Sequence, residues 1–334
     1  MRILIIGGTR FVGRALVETA LARGHQITLF NRGQSNPDLY PDIETLHGDR
    51  DGDLDLLAGK IWDAVIDTCG YIPRVVRQSA QLLKHAVDQY VFISTLSVYA
   101  DSSQPGLEES APLAVMQDES IEEINGETYG PLKALCEAQV QNAYGDRALI
   151  FRPGLIVGPN DYTDRFPYWP WRAAQGGNIL SPGRPQRPIQ FIDARDMAEW
   201  VLTMVETQIS GIFNVISPPG KWTMKQLLDT CVDVSGSQAH LVWVPDDFLL
   251  EHKVGAWMDM PFWIPESDPE LAGFFAFDAT KAQRAGLTYR NLEQTVRDTF
   301  DWVQSRPADH PRRAGIDRDT EQELLEKWWK TQNK

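Results

Sequence analysis

The first thirteen residues, MRILIIGGTRFVG (1–13), decide the fold of this chain. Arg2 to Ile6 form a short apolar run without alternation, which is typical of a strand covered on both faces. Gly7 and Gly8 then allow positive φ angles and a close approach of the backbone to a ligand. We predict a helix from about Phe11 to Ala22, whose N-terminal amides point at a phosphate.

A second strand, Gln26 to Phe30, completes a βαβ unit around this turn. A glycine-rich turn in that context predicts a dinucleotide-binding site, and an ordinary strand-to-helix turn is the alternative. Gly13 falls where the helix must pack tightly on the strand. Arg10 replaces the middle glycine of the common fingerprint, so the motif reads Gly-Gly-x-x-x-x-Gly and phosphate contact must tolerate a side chain.

Composition narrows the class of protein. The 334 residues are 43% hydrophobic, which is enough for one large or two coupled domains. Cys69, Cys136 and Cys231 lie far apart without metal-type spacing, so we expect free thiols, no metal site and a cytosolic protein. No apolar run approaches the length of a membrane helix. The net charge of −14 repels phosphate backbones and disfavours nucleic acid as a partner.

The end of the second strand, Phe30-Asn31-Arg32-Gly33, is where dinucleotide enzymes select their cofactor. An acidic residue there would accept hydrogen bonds from the ribose 2′-hydroxyl of NAD, and this chain has none. Asn31 is neutral, and Arg32 together with Arg10 would hold a 2′-phosphate, so the sequence favours NADP(H) over NAD(H). Two solvated surface arginines would look the same in the sequence.

Strand and helix patterns alternate five times along the first part of the chain. Such alternation predicts an α/β fold with a doubly wound parallel sheet, the Rossmann arrangement. The later segments are a strand from Thr45 to His47 followed by Asp49 and Arg50, a strand from Trp62 to Thr68 followed by Cys69 and Gly70, a helix from Val75 to Ala86, and a strand from Gln89 to Ile93.

Candidate catalytic side chains follow the strand that ends at Ile93. Thr95 lies just beyond it, at the edge where parallel sheets hold their ligands. Tyr129 and Lys133 share one face of a helix that starts near Tyr129, because Pro131 is tolerated only in a first turn. A free phenol has a pKa near ~10, and we expect the adjacent ammonium to bring it toward neutrality. A chance surface pair is the alternative.

Together these features resemble the extended form of the short-chain dehydrogenase/reductase superfamily, the NAD(P)-dependent epimerase/dehydratase relatives. The resemblance implies that Tyr129 is the proton donor or acceptor, that Lys133 holds the nicotinamide ribose and tunes Tyr129, that Thr95 polarises the substrate carbonyl, and that Pro153 lies near the nicotinamide. The Gly-Gly-x-x-x-x-Gly variant is similar to an atypical branch that also contains chloroplast RNA-associated proteins. The resemblance rests on the glycine turn, Ser94-Thr95 with Val98-Tyr99, Tyr129 with Lys133, RPGLIVGP at 152–159 and FIDARDMA at 191–198.

Two departures from the family pattern argue against a sugar nucleotide as the substrate. Leu96 and Ser97 stand where sugar-nucleotide dehydratases usually carry an acid pair. Pro188-Ile189-Gln190 precedes the Phe-Ile motif, where nucleotide-diphosphate binders commonly carry an arginine. Arg184 and Arg187 are the possible substitutes.

Aromatic residues dominate the segments that we assign to the substrate. They favour a pocket for a flat or apolar molecule, and the core of a small subdomain is the alternative. We expect the segment from Asp246 to Phe277 to be a loosely structured cover over the site. The candidate substrate residues are Leu96, Ser97, Trp169, Trp171, Arg187, Trp257 and Trp263.

The sequence therefore predicts an NAD(P)-dependent oxidoreductase that moves hydride to or from a carbonyl or alcohol carbon of a small, aromatic or hydrophobic molecule. A nucleotide-sugar epimerase or dehydratase and a catalytically weak RNA-associated or cofactor-sensing protein are the alternatives, and a homodimer stays open. The candidate catalytic residues are Thr95, Tyr129 and Lys133. The candidate cofactor residues are Gly7, Thr9, Arg10, Phe11, Val12, Gly13, Asn31, Arg32, Asp49, Arg50, Thr68, Cys69, Gly70, Tyr129, Lys133 and Pro153.

The predicted domains interleave. Residues 1–159 and 190–214 form the nucleotide domain, 160–189 and 215–305 form a smaller substrate domain, and 306–334 form a tail. The tail ends in a docking helix, for which Thr320 and Glu323 have the spacing of a capping box.

Overall fold

The computed structural model describes residues 1–307 and 309–332 and contains a seven-stranded parallel sheet. The glycine-rich turn directly follows the first strand, which lies inside that sheet. The strands are β1 (Arg2–Ile6), β2 (Gln26–Asn31), β3 (Glu44–His47), β4 (Ala64–Asp67), β5 (Gln89–Ile93), β6 (Ala148–Pro153), β7 (Ile156–Val157), β8 (Asn178–Pro182), β9 (Pro188–Ile189), β10 (Ile192–Asp193), β11 (Gly211–Val215), β12 (Trp222–Thr223) and β13 (His240–Val244). The helices are α1 (Phe11–Ala22), α2 (Pro73–Leu83), α3 (Tyr129–Tyr144), α4 (Tyr168–Ala174), α5 (Ala194–Glu206), α6 (Met224–Ser235), α7 (Asp246–Glu251), α8 (Thr280–Arg284), α9 (Leu292–Gln304) and α10 (Arg318–Gln332).

The strand order of the central sheet is β11-β6-β5-β4-β1-β2-β3, and each neighbouring pair is parallel. The chain winds outward from β1 in one direction to β3 and then in the other direction from β4. That reversal opens a crevice at the carboxyl end of β1, the place where doubly wound sheets bind ligands. The structure confirms the predicted α/β fold with a doubly wound parallel sheet.

Helices cover both faces of this sheet. Ile3 and Ile5 of β1 pack in one buried cluster with residues of α1 and α5. Leu4 and Ile6 point to the opposite face and pack with residues of α2 and α3. The absence of alternation in the first strand is thus explained by burial of both faces.

The bounds of β1 and α1 coincide with the predicted ones, whereas α2 ends at Leu83 rather than Ala86. The backbone turns there, since the amides of Ala86 and Val87 both donate to the Leu83 carbonyl. The strand β11 returns to the edge of the central sheet beside β6. The division of the chain into two interleaved domains stays a prediction.

A third apolar cluster is built from residues that follow the central part of the chain, from Leu155 onward. Met260, Phe262 and Trp263 are buried within it, together with Phe166 and Trp169. The expectation of a loosely structured cover from Asp246 to Phe277 is therefore wrong for the middle of that segment, because its large apolar side chains form a packed core with α4 and α6.

The last helix packs on this cluster through Leu324 and Leu325, which are buried. Its predicted capping box is wrong, because the helix begins at Arg318 and Thr320 already lies within it. The Asp317 carboxylate accepts hydrogen bonds from the Thr320 amide at 2.9 Å and the Thr320 hydroxyl at 2.7 Å. Across residues 1–307 and 309–332, none of the helices combines the length and the apolar character needed to span a membrane.

Candidate active site

Glycine is required at both ends of the turn that follows β1. Gly7 and Gly8 have φ angles of 109° and 95°, in the region that side chains rarely adopt. A Cβ atom on Gly7 would lie 2.3 Å from Thr68 Oγ1, and one on Gly13 would lie 2.8 Å from the Gly8 nitrogen. The turn therefore forms a cradle of bare backbone at the start of α1, as a dinucleotide phosphate site requires.

This cradle is the floor of a crevice of about 440 Å³. Arg32, an exposed side chain, lies at the far side of the crevice beyond β2. Tyr71 and Tyr162, which the sequence did not single out, complete its walls. The candidate cofactor residues that line it are Gly7, Thr9, Arg10, Phe11, Val12, Gly13, Asn31, Arg32, Asp49, Arg50, Thr68 and Cys69.

A second cavity of about 540 Å³ adjoins the crevice. The two share Phe11, Val12, Thr68, Tyr71 and Tyr162 as lining residues. The candidate residues that line the second cavity are Thr95, Leu96, Ser97, Tyr129, Lys133, Pro153 and Trp257. The structure thus brings the three candidate catalytic residues to one cavity next to the predicted nucleotide crevice.

Two of the polar residues in the crevice have structural partners. Asn31 donates to the Gly7 carbonyl at 3.2 Å and accepts from the Gly33 amide at 2.9 Å, so it links the glycine turn to the end of β2. The Arg50 guanidinium binds the buried Asp67 carboxylate through two nitrogens at 2.8 Å. Although burial opposes ionisation of Asp67, Arg50 keeps the pKa of that carboxyl below its ordinary value.

The pairing with Asp67 neutralises Arg50, which still lines the crevice, so its contact with the cofactor stays a prediction. Loss of either partner would leave an unpaired charge in the core. Arg10 lies over the Tyr162 ring, with its Cζ atom 3.9 Å from the ring centroid. Gly70 lies outside both cavity linings, and its carbonyl oxygen accepts a hydrogen bond from Lys133.

A close backbone contact places Tyr129 next to Thr95. A Cβ atom on Gly130 would lie 2.2 Å from the Ser97 carbonyl oxygen, so the start of α3 rests directly on the short helical turn Leu96–Val98. Thr95 caps that turn, since its hydroxyl accepts from the Ser97 amide at 3.2 Å. The sequence reasoning missed Gly130, although a glycine inside the first turn of a helix is a signal of close packing.

Lys133, one helical turn after Tyr129 on α3, is buried. Its ammonium donates to the carbonyl oxygens of Gly70 and Ile93, both at 2.7 Å, and lies 4.1 Å from the centroid of the Phe92 ring. Burial lowers the pKa of Lys133 to about 8. Burial also raises the pKa of Tyr129, and its contact with the Thr95 hydroxyl acts against that rise.

This electrostatic arrangement corrects the expected effect of Lys133 on Tyr129. The ammonium is held by two backbone carbonyls, and desolvation of the phenol is the largest influence on its pKa. In the structure Tyr129 is therefore a protonated phenol at neutral pH, suited to donate a proton rather than to accept one.

Four of the seven candidate substrate residues lie outside the second cavity and are removed from the set. Trp169 and Trp263 are buried in the C-terminal core, where their indole nitrogens donate to the Pro261 carbonyl at 3.0 Å and to Asp246 at 2.8 Å. Arg187 is buried beside Asp246 at 3.5 Å, and Trp171 lies under the Arg312 guanidinium. These four side chains therefore contribute to packing and charge pairing. Of the candidate substrate residues, Leu96, Ser97 and Trp257 line the cavity.

The segment between β7 and α4 contributes residues that the sequence reasoning missed. Asp161, Tyr162 and Arg165 all line the second cavity. The signal was a run of polar residues directly after the RPGLIVGP motif, in the connection that follows a strand end. Phe274, Phe275 and Phe277 also line this cavity. Among residues 1–307 and 309–332, no group of three or more His, Cys, Asp or Glu side chains has an arrangement that would hold a metal ion.

Comparison with known proteins finds a family match over part of the chain. Residues 64–215 match the sequence model of the NAD dependent epimerase/dehydratase family. The chloroplast stem-loop binding protein of 41 kDa b from Arabidopsis thaliana is 28% identical over 255 residues, which cover 70% of this chain and 63% of that protein. The epimerase family protein SDR39U1 from Bos taurus is 26% identical over 242 residues, which cover 67% of this chain and 76% of that protein.

A solved structure with the same fold is UDP-glucuronic acid 4-epimerase from Bacillus cereus in complex with NAD. The TM-score is 0.64 at 17% identity, over 91% of this chain and 97% of that chain. The family match and the shared fold confirm the resemblance to the extended short-chain dehydrogenase/reductases. The family is NAD-dependent, and an NAD complex occurs among the proteins that share the fold.

Proposed function

We propose that this relative of the NAD dependent epimerase/dehydratase family is an NAD(P)-dependent oxidoreductase acting on a small, aromatic or hydrophobic carbonyl compound or alcohol. The observation that carries the proposal is the meeting of Thr95, Tyr129 and Lys133 in one cavity that adjoins the glycine cradle. Tyr129 is the proposed proton donor, Thr95 the proposed hydrogen-bond donor to the substrate oxygen, and Lys133 the proposed positive charge behind the phenol.

The cradle fits a dinucleotide, because side chains at Gly7 and Gly13 would fill it. A bound nicotinamide would supply hydride in reduction or accept it in oxidation. The exposed Arg32 at the crevice and the lack of an acid at the end of β2 support a preference for NADP(H), which we retain as a proposal. Pro153 lines the second cavity, which supports the position near the nicotinamide that we propose for it.

The protonation state of Tyr129 favours reduction of a carbonyl at neutral pH. As hydride reaches the carbonyl carbon, the phenol would give its proton to the carbonyl oxygen and become a phenolate, and the product would be an alcohol. We propose that the Lys133 ammonium, one helical turn from Tyr129, would add to the Thr95 hydroxyl in stabilising that phenolate. Solvent would later return the proton to Tyr129.

A nucleotide-sugar epimerase is the second candidate, supported by the family and by the UDP-glucuronic acid 4-epimerase fold. One observation speaks against it. Arg184 lies at the surface in an ion pair with Glu266 at 2.8 Å, and Arg187 is paired with Asp246, so neither substitutes for a diphosphate-binding arginine in the cavity. Leu96 and Ser97 stand where dehydratases usually carry the acid pair for elimination, which speaks against a dehydratase.

An RNA-associated role is suggested by the name of the Arabidopsis relative. The net charge of −14 weighs against such a role, because binding to a phosphate backbone depends on clustered positive charge. We therefore rank it below both enzymatic candidates.

The experiment is a turnover assay with a panel of aromatic and aliphatic aldehydes and ketones, in which oxidation of NADPH and of NADH is followed by absorbance. We expect oxidation with at least one aromatic carbonyl compound and its loss in Tyr129→Phe. Turnover of UDP-sugars without added cofactor, with no oxidation against any carbonyl compound, would overturn the proposal in favour of the epimerase.

A further inference from the structure

Arg165 lines the second cavity and forms no ion pair with a carboxylate among the described residues. Its Nε atom donates only to the Thr163 hydroxyl, at 3.3 Å. Within the described residues, 1–307 and 309–332, no Asp or Glu oxygen lies within 4.0 Å of its nitrogens. Buried or half-buried arginines elsewhere in the chain, such as Arg152, Arg172 and Arg306, each pair with a carboxylate. Arg165 therefore has donors available for a ligand.

The carboxyl group of Asp161 also lines the cavity but forms no ion pair with Arg165. Asp161 is fully buried, and its Oδ1 atom accepts from the Thr163 amide at 2.9 Å and the Thr163 hydroxyl at 2.6 Å. Its Oδ2 atom has no hydrogen-bond partner. Burial raises the pKa of Asp161, and Arg165 acts against that rise only from a distance.

The other cationic side chain in the lining, Lys133, donates hydrogen bonds to two backbone carbonyls, those of Gly70 and Ile93. Among the described residues, Arg165 is therefore the cation of this lining with the most unused donors, in a protein whose net charge is −14. A cation held in this way attracts anionic ligands into the cavity.

An aromatic slot lies beside this charge. The Arg165 Cζ atom is 5.3 Å from the centroid of the Trp257 ring, within the range of a cation–π contact. Phe274 meets Trp257 edge-on at 5.2 Å, and Phe275 lies 6.3 Å from the same ring. Rings arranged in this way bind a flat ligand and leave its edge accessible to the guanidinium.

The phenol of Tyr129 lies within the electrostatic reach of Arg165. Burial raises the pKa of Tyr129, and the positive charge of Arg165 is one of the influences that oppose the rise. An anionic group on Arg165 and a reacting carbonyl at Tyr129 would thus belong to one small molecule in the same cavity.

We propose that Arg165 determines substrate specificity by binding the carboxylate of an aromatic oxo-acid, whose ring lies against Trp257 while its carbonyl faces Tyr129. This inference rests on the proposed function and names its substrate class. A carboxylate suits a single guanidinium, which binds it through two parallel N–H donors. A phosphate dianion would call for a second available cation, and Lys133, the other cation of the described lining, is held by two backbone carbonyls.

The test compares 4-formylbenzoate with its uncharged near-isostere 4-formylbenzamide. We expect wild-type kcat/KM to be about tenfold or more higher for the acid, since a charge-assisted hydrogen bond contributes on that scale. Arg165→Gln should lose that preference, mainly through a higher KM for the acid, whereas Arg165→Lys should recover part of it. Arg184→Gln, a surface arginine outside the cavity, is the matched control.

A binding measurement separates this inference from the proposed function. Benzoate and benzamide are titrated against protein saturated with NADP⁺ and followed by ligand-observed NMR, in wild type and in Arg165→Gln. Preferential binding of benzoate that depends on Arg165 supports the inference even if neither aldehyde is reduced, in which case the proposed function alone fails. Equal binding of the two ligands, or a preference for benzoate that survives in Arg165→Gln, overturns the inference.

Discussion

Gly130 rests on the Ser97 carbonyl oxygen so closely that an added Cβ atom would lie 2.2 Å from it. This contact fixes the start of α3, and with it Tyr129, relative to the turn that carries Thr95. Neither partner can yield easily, because one is helix backbone and the other is the carbonyl of a capped turn. The distance between the proposed proton donor and the proposed carbonyl-binding hydroxyl is thus set by a glycine.

Gly130→Ala should therefore damage activity more than folding. Overpacking at such a site costs about 1–3 kcal/mol and displaces the helix start. We expect kcat to fall by roughly tenfold or more, since small displacements of reacting groups are costly. Gly126→Ala is the matched control, because nothing lies within 4 Å of the position of its Cβ. Equal activity of the two variants would show that the contact does not position Tyr129.

The lowered pKa of Lys133 predicts how the rate of reduction depends on pH. Its pKa is lowered to about 8 by burial, so its ammonium loses its proton as the pH rises through that value. Reduction needs the ammonium to stabilise the developing phenolate, and kcat/KM should therefore fall above pH of about 8 and be level below it. A profile that stays level up to the pKa of an ordinary lysine, about 10.4, would contradict this role.

Arg32 tests the choice of cofactor. Removal of its positive charge in Arg32→Ala should raise the Kd of NADPH by roughly tenfold and leave the Kd of NADH almost unchanged, because only NADPH carries a 2′-phosphate. Binding is measured by fluorescence of the reduced nicotinamide. Arg77→Ala, on the exposed side of α2, serves as the control. Equal changes for the two cofactors would remove the NADP(H) preference.

The buried ion pair between Arg172 and Glu321 tests how firmly the last helix is attached. Glu321 accepts from Arg172 Nε at 2.7 Å, and its other oxygen accepts from the Leu180 amide at 3.0 Å. Glu321→Gln should lower the free energy of unfolding by roughly 3–5 kcal/mol, because it leaves a buried guanidinium without its counter-charge.

The control for that pair is Glu293→Gln, which breaks an exposed pair with Arg297 on α9. An exposed pair contributes only about 0–1 kcal/mol. Chemical denaturation of both variants gives the comparison. A similar small loss in the two variants would mean that α10 is not held through Glu321.

Local sequence patterns were sufficient to predict the parallel sheet and the turn that follows its first strand. The strand Arg2–Ile6 and the helix Phe11–Ala22 were predictable because apolar runs and glycines specify them within a few residues of sequence. The position of Thr95 after β5 followed from the same reasoning. These features depend on neighbours in the chain rather than on distant partners.

Side-chain orientation was not predictable in this way. Trp169 and Trp263 are as aromatic as Trp257, yet partners far along the chain bury the first two and leave the third at the cavity. The orientation of Lys133 depends on the carbonyls of Gly70 and Ile93, which only the folded sheet brings together. Arg165 was missed because its significance is the lack of an acidic partner within the described chain, a property of the assembled cavity.

The central claim, that Tyr129 donates the proton for a hydride transfer, is tested most directly by single-turnover oxidation of bound NADPH with an aromatic carbonyl substrate in wild type and Tyr129→Phe. The variant keeps the ring packing and loses only the hydroxyl. We predict that the rate falls by about 10²–10⁴ while the Kd of NADPH changes by less than about twofold. A rate in Tyr129→Phe equal to that of wild type would contradict the account.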